Sequence, residues 1–340
     1  MSRAAFGVGV LGLLAALCVG TLYGAAHIPP DHVFGIVAQR LGLSGAGGWR
    51  PWEAIVVLDV RLPRVLVGAF VGGGLAVCGL VMQSLFRNSL ADPGVLGVSS
   101  GASLGAVIAL CTNWAARSEW ALPACAVVGA AATAGAIYTL SARRGHIHVG
   151  TLLLVGVAVG SFTSAATSMV LSLALANYDT GRQIVFWMLG GLDARTWQHV
   201  LLIAPPTLMA VAIAMIHVRD LDALLLGEIQ AASLGVDVPR CRWRLIGATS
   251  LMVGAAVAVS GVIGFVGLIV PHMLRLLLGP AHRLLLPTCL LVGAAFIVLA
   301  DLAARTLIAP EEIRLGIITA SVGAPFFLWL LLKKRADGVI

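Results

Sequence analysis

The chain has 340 residues, of which 59% are hydrophobic and 11% charged, and its mean hydropathy is +1.00. Soluble domains carry about a quarter charged residues, so this composition excludes a soluble protein and points to a polytopic membrane protein. The formal net charge of +7 comes from basic residues scattered singly or in pairs at the ends of apolar runs, which suits membrane anchors and not a nucleic-acid surface.

The first apolar run covers residues 4–26, long enough to span a bilayer. It predicts a first transmembrane helix; the alternative, a cleaved signal peptide, has a similar pattern but a shorter apolar core. Further runs near 62–86, 94–112, 120–141, 149–176, 199–217, 245–262, 263–278, 284–300 and 315–332 bring the total to ten predicted spans in one transmembrane domain over residues 1–340. The stretch 245–278 is too long for one crossing and is divided at Gly261, Gly264, Gly267 and Pro271, residues that break helices.

Ten spans place both termini on one side. Loops on that side hold thirteen basic residues, among them Arg87, Arg143, Arg144, Arg219 and Lys333, against nine on the other, among them Arg61, Arg64, Arg305 and Arg314. The richer set sits in short loops beside helix ends, so both termini are expected in the cytoplasm. A weak internal repeat pairs residues 71–79 with 253–261, five of nine positions being identical. Spans five apart run in opposite directions, so a genuine duplication predicts an inverted repeat.

Between the second and third spans lies Arg87-Asn88-Ser89-Leu90-Ala91-Asp92-Pro93-Gly94, a polar turn at a membrane surface in which Pro93 is expected to open the next helix. Gly97, Gly101 and Gly105 then recur every fourth residue, a flat helix face for close packing. In the fifth span Ser161, Ser164, Ser168 and Ser172 form one hydroxyl stripe beside Gly156 and Gly160, fit either to line an aqueous pathway or to bond a neighbouring helix. After the sixth span, segment 219–236 within the larger loop 219–244 is too apolar to be merely solvated. Leu221, Leu224 and Leu225 recur at i, i+3 and i+4, giving a short amphipathic helix that needs a protein groove or a lipid surface to cover it. Gly235 is expected to end a second short helix.

No nucleotide-binding loop is present, since the only lysines are Lys333 and Lys334, and the chain reads as a non-enzyme. No carboxylate falls in mid-span as an ion-coupled carrier would require; Asp301, at a helix end, comes nearest. His272 beside Pro271 has no evident catalytic partner. The cysteines at 18, 78, 111, 125, 241 and 289 show no paired spacing and read as packing residues, and no metal site or bound cofactor is expected.

The turn at 87–94, the stretch Gly264-Phe265-Val266-Gly267-Leu268-Ile269-Val270-Pro271-His272 and the stretch Gly323-Ala324-Pro325-Phe326-Phe327 closely resemble signatures of the FecCD-type permease subunits of ABC importers for heme, ferric siderophores and cobalamin. The resemblance covers almost the whole chain. It implies an all-α, homodimeric type II importer permease of about ten helices in the bacterial inner membrane. Its implied partners are a second copy, two ATP-binding cassette subunits that hold ATP and Mg, a periplasmic substrate-binding protein, and membrane lipid. It assigns ATPase coupling to the segment containing Leu221, Leu224, Leu225, Glu228, Ala231, Ala232, Leu234 and Gly235. It assigns binding-protein docking to Arg61, Arg64 and Arg305, which without the resemblance read as membrane-surface anchors. It also favours a lining role for the serine stripe. Two departures stand out: Ser89 replaces a usual proline, and Arg314 falls where the family has an uncharged residue, adding a positive charge where a binding protein or anionic cargo would approach. General resemblance around residues 187–193 favours heme as cargo, with His27, His32 and His199 expected to be dispensable for uptake. A self-contained channel or ion-coupled carrier is the alternative from another class.

Overall fold

The computed structural model describes residues 2–24, 26–43, 47–89, 91–94, 97–143, 146–147 and 149–336; Leu90 of the polar turn and Arg144 fall outside them. Those residues are overwhelmingly helical. Helix α1 (Ser2–Leu22) is followed by α2 (Pro30–Arg40) and α3 (Pro51–Ile55), which runs through a π-helical turn (Val56–Arg61) into α4 (Leu62–Leu85). The stretch 27–61, which holds none of the predicted spans, thus contains three helical segments. Pro30 and Pro51 open their helices, where a missing amide proton costs nothing.

Next come α5 (Val98–Cys111), α6 (Trp114–Arg117) and α7 (Ala121–Ser141), then the two-residue strands β1 (Ala142–Arg143) and β2 (His146–Ile147). Helices α8 (Val149–Ala174), α9 (Tyr178–Met188) and α10 (Trp197–Ile216) lead to the short pair α11 (Val218–Leu226) and α12 (Glu228–Ser233). The chain closes with α13 (Val238–Ser260), α14 (Val266–Leu278), α15 (His282–Thr306) and α16 (Leu315–Ala336). All ten predicted spans are present as helices, with differences. Helix α5 begins only at Val98, capped by Gly97 in the left-handed region, so Pro93 lies in the preceding turn and does not open it. The division of 245–278 falls at Gly261, whose φ of 65° only glycine adopts freely. Pro271 does not break the chain, because it sits inside α14.

Seven helices among the described residues are long and apolar enough to cross a membrane; α5, α14 and the apolar part of α16 are shorter. At 1.5 Å per residue the 13 residues of α14 reach about 20 Å, short of a hydrocarbon core of about 30 Å. Such a helix is tolerated in a membrane only where neighbouring protein surrounds its ends.

Helix α4 is the central post, in contact with α10, α13, α14 and α15. Its glycines allow backbone-to-backbone approach. A Cβ on Gly72 would lie 2.3 Å from the Gly293 carbonyl oxygen of α15, and one on Gly79 would lie 1.9 Å from the Gly267 carbonyl oxygen of α14. The glycine ladder of α5 acts likewise: Gly101 packs on Gly129 and Thr133 of α7, and Gly105 on Cys125. Lipid offers no hydrophobic drive for helix association, so close van der Waals contact at small residues supplies it.

Gly79→Ala should destabilise the chain by at least about 1–3 kcal/mol through overpacking. Gly135→Ala, where a Cβ meets nothing within 4 Å, should be neutral or slightly stabilising. Thermal unfolding of the two purified variants in detergent checks the contrast.

Candidate functional site

One end of the bundle gathers ionic groups. Arg64 on α4 makes a bidentate pair with Asp301 on α15, Nη2 to Oδ1 at 2.8 Å and Nε to Oδ2 at 3.0 Å. Its remaining donors reach Glu312 at 2.8 and 3.0 Å. Arg305 adds a 3.4 Å contact to Asp301 and donates to the Gly20 carbonyl. Arg61 donates to the carbonyls of Thr21 at 3.0 Å, Leu22 at 2.7 Å and Ala26. The last turn of α1 leaves carbonyls without intrahelical partners, and these two guanidinium groups satisfy them.

Arg61, Arg64 and Arg305 are therefore only 3%, 8% and 4% exposed. The three guanidinium groups assigned to binding-protein docking are thus engaged within the chain and not free at its surface. A buried cation needs partners at once, and the chain supplies them from α1, α15 and the segment before α16.

Beside this cluster opens a cavity of about 880 Å³ between α7, α9, the 189–196 loop, α10 and the end of α13. Its charged lining is Arg182, Arg195 and Arg314 against Glu119 and Asp193. Arg314 donates to Asp193 at 3.0 Å while its guanidinium stacks 4.5 Å from the centre of the Phe186 ring, and Arg182 lies 5.3 Å from the same ring. Both distances suit attraction between a cation and an aromatic ring. Burial pushes the Asp193 carboxyl up, but the charges of Arg314 and Arg195 outweigh it and hold the group below the ordinary aspartate range. The stabilisation from this pair is present above the unfolded-state pKa of Asp193. It is lost only as pH falls through the depressed folded-state value.

Arg195 also reaches His199 Nε2 at 3.2 Å, and the other nitrogen of that ring lies 3.0 Å from the Thr196 hydroxyl and 3.2 Å from its amide, capping α10. His199 thus has a structural role. Of the cavity residues, Arg314, His199 and, within the stretch 187–193, Trp187, Gly191 and Asp193 stood out in the sequence. Arg182, Phe186 and Arg195 did not, because nothing in their spacing signals that α9 folds its cationic and aromatic face against the loop after α15.

The serine stripe of α8 splits from its glycines. Gly156 and Gly160 are buried, with the Gly97 backbone against both, whereas Ser161, Ser164, Ser168 and Ser172 face outward next to exposed Phe162 and Met169. At about 100° per residue the centre of the stripe lies roughly 100° round the helix from Gly156 and Gly160, with Ser164, at i+4 from Gly160, on its near edge. Ser164 Oγ approaches Ser100 Oγ at 3.3 Å, and Ser168 Oγ returns to the Ser164 carbonyl. None of the four serines lines the cavity.

At the opposite end, α11 and α12 form a plate against the bundle. Leu221, Leu224 and Ala231 are fully buried and Leu225 is half-buried. The expectation that the leucine stripe faces an outside groove is corrected, since α4 and α15 of the same chain cover α11. Asp222 fixes the plate by accepting from the His282 amide at 3.0 Å and pairing with its ring at 2.7 Å, while the far ring nitrogen meets Ser84 of α4 at 2.6 Å. Glu228 pairs with Arg242 at 2.6 Å. The outward face is apolar and different: Leu226, Ile229 and Leu234 are 62%, 80% and 67% exposed, beside exposed Ala232 and Gly235.

Asp301→Ala should cost about 3–5 kcal/mol, because it leaves Arg305 without a carboxylate and Arg64 with Glu312 alone; the double variant Arg64→Met/Asp301→Leu, which still leaves Arg305 and Glu312 unpaired, should recover only part of that loss. Unfolding temperatures of the three proteins in detergent measure it.

A family model for the FecCD transport family matches residues 12–333. The chain is 41% identical to the uncharacterized ABC transporter permease protein YvrB of Bacillus subtilis, covering 98% of this chain and 95% of that protein. It is 41% identical to the vitamin B12 import system permease protein BtuC of Vibrio cholerae (96% and 93%) and 40% identical to the hemin transport system permease protein HmuU of Yersinia pestis (84% of each). Among solved structures, an inward-facing conformation of a metal-chelate type ABC transporter superposes with a TM-score of 0.83 at 30% identity, over 98% of this chain and all of that one.

Proposed function

The chain belongs to the FecCD transport family of ABC importer permeases, and from that premise we propose that it works as a homodimer in the bacterial inner membrane, importing an anionic iron chelate, best fitted by heme. Two separate ATP-binding cassette subunits hold and hydrolyse ATP with Mg, a periplasmic binding protein delivers the cargo, and both chain termini lie in the cytoplasm. This chain holds no nucleotide and catalyses no reaction in this scheme.

The observation that carries the coupling half of this reading is the two-faced plate of α11 and α12. Its inner face, through Leu221, Leu224 and the Asp222–His282 pair, is locked to α4 and α15. Its outer face offers Leu226, Ile229 and Leu234 to a hydrophobic groove. A push on the outer face therefore moves whole helices, the rigid-body rocking that alternating access requires. The outward serine stripe of α8 fits the same picture, because hydroxyls on a surface otherwise made of Phe162 and Met169 suit an aqueous pathway completed by the second copy.

The cargo half rests on the cavity around Phe186. Three guanidinium groups against two carboxylates leave an excess of positive charge beside an aromatic face. That chemistry suits a flat chelate bearing carboxylates better than one without them. The relatives themselves divide, since one is a vitamin B12 import permease and another a hemin transport permease.

Two experiments check the halves separately. Gly235→Leu, which forces a side chain onto a φ of 89°, and Leu234→Asp should each uncouple or release the ATPase while leaving the membrane fold intact. Unchanged cargo-stimulated hydrolysis in both would remove the plate from the mechanism. In the importer reconstituted with its binding protein, heme should stimulate ATP hydrolysis more than a ferric siderophore or cobalamin does. Arg182→Ala should raise the half-saturating heme concentration about fivefold, the effect of losing about 1 kcal/mol. Stimulation by cobalamin and not heme would overturn the cargo and leave the permease standing.

A further inference from the structure

Apart from the cavity and the coupling plate, one cluster of metal-binding side chains stands out. His217 ends α10, Asp220 follows one helical turn later at i+3 on α11, and Cys241 lies in the first turn of α13. A ring nitrogen of His217, a carboxylate oxygen of Asp220 and the Sγ of Cys241 all lie within 4.8 Å of one another. We propose that His217, Asp220 and Cys241 form a binding site for a divalent transition metal of the zinc class, joining the α10–α11 corner to α13.

Three features of the site support this. Imidazole, carboxylate and thiolate are the ligand types that zinc takes, and three protein ligands leave a fourth position for water. Bond lengths of about 2.0–2.3 Å place tetrahedral ligand atoms about 3.3–3.8 Å apart, so atoms within 4.8 Å of one another need to close by about 1.5 Å at most, within reach of side-chain rotation. His217 Nδ1 lies 2.9 Å from the Ile213 carbonyl oxygen. A carbonyl only accepts, so the proton resides on Nδ1 and the Nε2 lone pair is left for a metal, the arrangement by which outer partners orient ligating histidines.

Access and charge also fit. His217 and Cys241 are buried, while Asp220 is half-buried and gives an ion a way in. Among the described residues Asp220 has no ion-pair partner, whereas nearby Arg240 is engaged by Asp237 at 3.0 Å and Arg242 by Glu228 at 2.6 Å. An ion at this position would brace the segment 218–236 against α13.

The test is a cobalt titration of the purified full-length chain in detergent, with cobalt standing in for zinc as an optically visible probe. The expected result is a thiolate-to-cobalt charge-transfer band saturating at one equivalent, displaced by zinc, absent in Cys241→Ser and weakened at least about tenfold in His217→Ala and Asp220→Asn. Zinc should also raise the unfolding temperature of the wild-type chain and not that of Asp220→Asn, which keeps the thiol. No band in the wild-type chain, a band that survives Cys241→Ser, or an unfolding temperature that zinc does not move would overturn the site.

Discussion

Everything in this molecule hangs on how closely α4 can approach its neighbours. Gly72 meets the Gly293 backbone of α15 and Gly79 the Gly267 backbone of α14, at separations that a single methyl group would forbid. In lipid such contacts replace the hydrophobic drive that packs soluble cores. The same helix carries Arg64 at one end and Ser84, bonded to His282, near the other. A stiff post thus ties the ionic cluster beside the cavity to the plate that faces the other side.

Charge is handled by the same economy of placement. Arg61 and Arg305 close the end of α1, Arg64 is shared between Asp301 and Glu312, and Asp222 locks α11 onto the first residue of α15. Each pairing removes the cost of an unpartnered buried ion while fixing one helix end against another. Of the three arginines lining the cavity, Arg182 and Arg314 lie against the Phe186 ring and Arg195 against His199. The arginines of the helix-end cluster and those of the cavity are thus distinguished by what they touch.

Much of this was legible in the sequence. All ten apolar runs became helices, the glycine ladder of α5 packs as its four-residue period requires, and Gly261 marks the break that its position in a long apolar run suggested. The family followed from contiguous motifs, which survive as local sequence. What failed were inferences about partners. Arg64 and Asp301 stand 237 residues apart, so nothing local says that they meet. The period of Leu221 and Leu224 says that a stripe is covered, not by what, and the cover proved to be the chain's own α4 and α15. Helical geometry alone turns Ser161, Ser168 and Ser172 roughly 80–120° round α8 from Gly160, but leaves Ser164, at i+4, near that face. The helices within 27–61 were hidden because their apolar stretches are short and interrupted by Pro29, Pro30 and Pro51.

The central claim is that this chain is a conduit moved by another protein's ATP hydrolysis. Vectorial uptake into sealed proteoliposomes tests it directly, comparing the purified chain alone with the chain joined to its ATPase subunits and supplied with binding protein, cargo and ATP. The account predicts accumulation only in the complete, ATP-supplied system and none when ATP or the ATPase is withheld. Accumulation by the chain alone, driven by an ion gradient or by none, would contradict it.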